Sequence, residues 1–62
     1  MEEKELVNLI VSYRERNNLT IKDMSALCGV SYLTLWNIEN QKRKPHRVIV
    51  RKILNVIESE VL

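Results

Sequence analysis

A single glycine, Gly29, sits between two short stretches of helical patterning, and it constrains the fold more than any other residue. The surrounding segment, Thr20 to Pro45, reads TIKDMSALCGVSYLTLWNIENQKRKP. Thr20 can cap the backbone N–H of Asp23, and Asp23 can reach back, making a capping box with Asp in place of the usual Glu. The helix so begun ends at Cys28, where Gly29 supplies the left-handed residue that stops a helix without steric cost. Ser31 then caps a further helix that runs to about Asn40. Two short helices about so tight a turn hold the second one out from the body like a blade.

The remainder of the chain is helical as well. One Gly, one Pro and no alternating β-branched run leave little room for strands. A first helix is expected from about Glu2 to Asn17, with Leu6, Leu9, Ile10 and Tyr13 as its buried stripe. Acids in its first turn and Arg14 and Arg16 near its end suit the helix dipole, and Asn17-Asn18 breaks it. In the helix after Ser31, at about 100° per residue, Leu35 and Ile38 fall on one side with Glu39 beside them. Leu33, Trp36, Asn37 and Asn40 fall on the other. Pro45 is expected to open the last helix, where its missing N–H costs nothing. There Val50, Ile53, Leu54, Ile57 and Val61 make a core stripe, and Ile49 and Val56 a second ridge. A small monomer seldom needs both. The expected fold is all-α: a single domain over residues 1–62, of four helices, or five if the last stretch breaks.

Charge and cysteine usage narrow the function. With 62 residues and one cysteine, Cys28, the chain has no internal disulfide, and its single histidine gives no zinc spacing. The acidic start lacks the basic lead-in of a signal peptide, and no apolar run approaches membrane-spanning length. A soluble, cytoplasmic, complete chain is the expectation, with no metal, cofactor or small-molecule ligand. Net charge is only +2, but its distribution is uneven. Acids cluster at the ends, whereas Lys42, Arg43, Lys44, Arg47, Arg51 and Lys52 form a block with no acid from Asn40 to Ile57. Such a block marks an anionic partner or a solvated surface. Set beside a blade-like helix whose width fits the major groove of DNA, it favours phosphate contact. One His, no carboxylate cluster and no phosphate-cradling glycine loop leave no catalytic constellation, so an enzyme is not expected.

In order and at family spacing, the residues Arg14; Leu19-Thr20-Ile21; Met24-Ser25; Gly29-Val30-Ser31; Leu35 and Ile38; and Glu39-Asn40-Gln41-Lys42-Arg43-Lys44-Pro45 carry a resemblance. The chain resembles the Cro/C1-type (XRE-like) helix-turn-helix domain of phage repressors and bacterial regulators, over roughly Leu6 to Ile57. The motif proper covers about residues 20–40. The resemblance implies a compact lambda-repressor-like fold and sequence-specific DNA binding. It also implies that Arg14 and Glu39 form a buried ion pair between the first and third helices. Tyr32, Leu33 and Asn37 map onto positions that reach base edges, Tyr32 at the flank where it either leans on the body or touches a phosphate. Four departures stand out. Ile21 replaces a Gln that touches DNA backbone or a neighbouring side chain, Ser25 replaces a packed Ala, Gln41 replaces the Gly after the third helix, and the reading face carries apolar Leu33 and Trp36.

Asn pairs in bidentate fashion with adenine, and apolar groups pack on a thymine methyl. Trp36, the only Trp, is ordinarily core, yet its angle places it off the Leu35–Ile38 line. It either presses on sugar and methyl surface in the groove or anchors a protein partner. Asn40, Lys42, Arg43, Lys44 and Arg47 are the expected phosphate contacts. His46 either caps the last helix or touches backbone. Cys28 is a small core residue. The reading that follows is a transcriptional regulator, a repressor acting as a homodimer on a palindromic operator in double-stranded DNA. Ile49, Val56, Val61 and Leu62 are its expected self-contact. The alternative is a helical protein-interaction module that uses Leu33 and Trp36 without reading DNA.

Overall fold

The apolar spacing resolves into four helices in the computed structural model, which describes residues 2–59: α1 (Glu3–Arg16), α2 (Ile21–Cys28), α3 (Tyr32–Glu39) and α4 (Arg47–Ser59). No strand occurs among the described residues. Leu6, Ile10 and Tyr13 from α1 meet Met24 and Cys28 from α2, Leu35 and Ile38 from α3, and Ile53 from α4 in one buried core. Leu9 does not join them and is 39% exposed. It lies about 60° off the Leu6–Ile10–Tyr13 line, at an edge of the stripe that no neighbour covers.

Three helices end alike. In each, two successive amides turn back onto carbonyls of the last turn through a residue in the left-handed region, a Schellman motif. Asn18 and Leu19 donate to Glu15 and Arg14, Gly29 and Val30 to Ala26 and Ser25, and Gln41 and Lys42 to Ile38 and Asn37. The left-handed residues are Asn18 (φ 54°), Gly29 (φ 71°) and Gln41 (φ 54°). The residue after two of these turns, Leu19 or Val30, tucks against the core, but Lys42 points to solvent. Gln41 therefore keeps the family's turn geometry without the family's glycine. A side chain there costs about 1–2 kcal/mol, of which the greater unfolded-chain freedom of glycine offsets roughly half. Gln41→Gly should accordingly raise stability by about 0.5–1 kcal/mol in urea denaturation; an unchanged or lowered midpoint would show the turn to be unstrained.

α2 starts as expected. The Asp23 amide donates to Thr20 Oγ1 (3.0 Å) while the Thr20 amide donates to the Asp23 carboxylate (3.1 Å). The bond from the Thr20 amide, and then the Thr20 side chain, hold the Asp23 pKa below the ordinary carboxylate value. A depressed folded-state value adds stability above the unfolded pKa, and that share is lost as pH falls through the folded one. Melting temperature should thus drop on acidification below the aspartate range, and Asp23→Asn should blunt that drop. Equal acid slopes in the two proteins would remove the box from the account.

Two expectations for α4 are corrected. Pro45 does not open the helix; it precedes the cap. His46 is the capping residue, its carbonyl accepting from the Val50 amide (3.0 Å) and its Nδ1 from the Val48 amide (3.1 Å). Nor is the Ile49–Val56 ridge spare. Ile49, Val50, Leu54, Val56 and Ile57 all pack partly against the core, with Ile53 buried between them. Around Ile53, Ile49 and Val56 lie on one flank and Val50 and Ile57 on the other, so the two ridges are edges of one broad face. Val61 and Leu62 lie outside the described residues.

Candidate nucleic-acid interface

α3 is held by its inner face and both ends. Leu35 and Ile38 are buried, and the Ser31 hydroxyl accepts from the Thr34 amide (3.1 Å) at the start. At the far end Glu39 is clamped to α1. Arg14 Nε donates to one carboxylate oxygen (2.9 Å) and Nη2 to the other (2.8 Å), while Nη1 reaches the Leu19 carbonyl (3.2 Å). The side chains are 20% and 7% exposed respectively. The hydrogen bond to the carboxylate raises the Arg14 pKa further above its ordinary value, so the guanidinium stays charged. Beneath α3, α2 packs with Ser25 buried, its hydroxyl donating to the Lys22 carbonyl (2.8 Å), so the replacement for the family's alanine leaves no orphan polar group. Burial raises the pKa of the Cys28 thiol, which suits a packed core residue rather than a nucleophile.

What remains outward on α3 is neutral and mostly apolar. Leu33 is 63% exposed and Tyr32 51%. Trp36 and Asn37 are half-buried, so the tryptophan is neither core nor fully out. The Asn37 amide has no partner among the described residues. Asn40 differs: its amide nitrogen donates to the Trp36 carbonyl (2.8 Å), closing its own helix and leaving one N–H for any phosphate.

The basic block is divided by the fold. Lys42, Arg43, Lys44 and Arg47 are all exposed. Arg43 and Lys44 border a cleft between α3 and the start of α4, with Thr34, Ile38, Pro45, His46 and Ile49 as its other walls. Lys44 also lines an open pocket with Glu2, Glu3, Lys4 and Gln41 at the start of α1. Arg47 belongs to an open groove along α4 with Val50, Arg51, Leu54, Asn55 and Glu58. Ile21 folds partly against the core. Thr34 was not singled out from sequence, yet it sits on the cleft and shares a hydrogen bond with Ser31 (2.7 Å). Its spacing three residues past the cap was the available signal.

A core-locked α2 and α3 joined through a left-handed glycine, with one α3 face bared, define a helix-turn-helix domain. The helix-turn-helix family model matches residues 10–61, and the chain belongs to the Cro/C1-type helix-turn-helix family of DNA-binding regulatory domains, with a lambda-repressor-like fold. No curated protein and no solved structure matches the chain. Among the described residues no helix is long and apolar enough to cross a membrane.

Proposed function

We propose that the protein is a sequence-specific transcriptional regulator, a cytoplasmic repressor that binds a palindromic operator in double-stranded DNA as a homodimer. The observation that carries this reading is the division of α3: an inner face fixed by Leu35, Ile38 and the Arg14–Glu39 pair, and an outer face with Leu33 exposed and the Asn37 amide unpartnered. Base contact falls to Leu33, Asn37, Trp36 and, at the flank, Tyr32. Lys42, Arg43, Lys44 and Arg47, with the remaining Asn40 N–H, take phosphates and set the register.

Eight residues of helix extend about 12 Å, enough for only a few base pairs, so one protomer cannot select a single genomic site. Two half-sites about 34–36 Å apart, read by a two-fold dimer, give the needed length. Because Ile49 and Val56 are engaged with the core, the self-contact shifts to the open groove of α4. Half-buried Val50 and Leu54 lie there, so antiparallel apposition sets them against the same two residues of the partner. Selection from a random duplex pool tests the reading: a two-fold symmetric motif with that spacing supports it. A protein that sediments as a monomer even on the enriched duplex contradicts the dimer.

The exposed Leu33 and Tyr32 beside Trp36 also favour a second reading, docking of this face onto another protein. That reading predicts no preference among duplexes and no dependence of binding on the basic loop.

A further inference from the structure

We infer that α3 reads A·T pairs and that thymine methyl groups are part of what it recognises; the inference rests on the DNA-binding reading above. α3 contains no Lys or Arg, so the bidentate pairing of a cation with guanine O6 and N7 is not available from this helix. Its one acid, Glu39, suited to accept from cytosine N4, faces inward with both oxygens held by Arg14. The Thr34 hydroxyl is engaged with Ser31 and the Asn40 amide with the Trp36 carbonyl. The Tyr32 hydroxyl both donates and accepts, so it does not discriminate.

What is left is the Asn37 amide and the apolar surface of Leu33 and Trp36. An amide matches adenine N6 and N7 in bidentate fashion, and an exposed leucine packs on the C5 methyl of thymine. Asn37 and Leu33 are four residues apart, one above the other on a single helix face, so they address neighbouring base pairs. Cytosine beneath Leu33 would set an N–H donor against a leucine that cannot accept it. The reading helix is thus built to prefer A·T by what it carries and by what it lacks.

Methyl deletion on the DNA tests this directly. The duplex that the full chain enriches from a random pool is resynthesised with each thymine of one half-site replaced in turn by deoxyuridine, which removes the C5 methyl and leaves pairing intact. The expected result is A·T at the positions whose preference Asn37→Ala and Leu33→Ala relax. At the Leu33 position a single uracil should weaken binding about three- to fourfold. Leu33→Ala, at a residue that is 63% exposed, should be indifferent to the same uracil. Cytosine there should bind worse than 5-methylcytosine by a similar factor. Contacted positions enriched as G·C, uracil tolerated throughout, or a Leu33→Ala protein as sensitive as the wild type would each overturn the inference while leaving DNA binding intact. Enrichment of no duplex at all would overturn the DNA-binding reading, and the inference with it.

Discussion

Arg14→Met is expected to lower stability by about 3 kcal/mol, the lower end of what breaking a buried ion pair costs. Glu39 is only 7% exposed, and without the guanidinium its carboxylate is left in the interior without either hydrogen bond. A chain of 62 residues has roughly 3–9 kcal/mol of stability in total, so this one change removes a third or more of it. Glu39→Gln should be milder, about 1–2 kcal/mol. Arg14 is 20% exposed and keeps the Leu19 carbonyl, so its stranded charge is partly wetted and partly bonded. The order of the two single variants is itself informative. Arg14→Met with Glu39→Leu together should recover much of the loss, since an apolar pair leaves no buried charge. Urea denaturation followed by circular dichroism measures all three. If Arg14→Met retains the wild-type midpoint, the clamp on α3 contributes nothing. The pair is not a pH switch at ordinary alkalinity. A raised folded-state value for Arg14 keeps its contribution in place until the pH climbs into the arginine range.

The second large effect is electrostatic. Lys42→Gln, Arg43→Gln and Arg47→Gln combined should weaken binding to every duplex and flatten its salt dependence. Three lost phosphate contacts reduce the slope of log affinity against log salt by about 2.7, so the fall between about 50 and 200 mM salt shrinks roughly 40-fold. Asn37→Ala should behave oppositely, leaving the salt slope alone and costing about 1–3 kcal/mol of discrimination between duplexes. Fluorescence anisotropy across a salt series separates the two. A triple variant with the wild-type slope would assign the basic loop to solvent.

These contrasts were partly legible in the sequence. Capping chemistry is local, so Thr20–Asp23, Gly29 and Ser31 announced the ends of α2 and α3 and hence the angle at which α3 is held. The Arg14–Glu39 pair is twenty-five residues apart in sequence, and only the family pattern suggested it. The misreadings arose where a neighbour decides the outcome. Leu9 has the right spacing but lies on an uncovered flank, and Ile49 and Val56 looked spare only because the width of the face buried around Ile53 is set by the other helices. Gln41 in place of the family's glycine pointed to a strained or differently formed cap, and the strained form is the one found, held left-handed by backbone hydrogen bonds. The last helix starts two residues after Pro45 because His46 caps it through its ring nitrogen.

Trp36 gives the central claim its most direct measurement, since the chain has no other tryptophan and this one is half-buried on the bared face of α3. Its emission should be followed while the enriched duplex is titrated in at low and at high salt. If α3 enters the groove, the emission changes saturably, tightly at low salt and far more weakly at high salt, and Asn37→Ala loses the preference for the enriched duplex over a scrambled one. An emission unmoved by either duplex, with the folded protein present at both salts, would contradict the assignment of α3 to DNA.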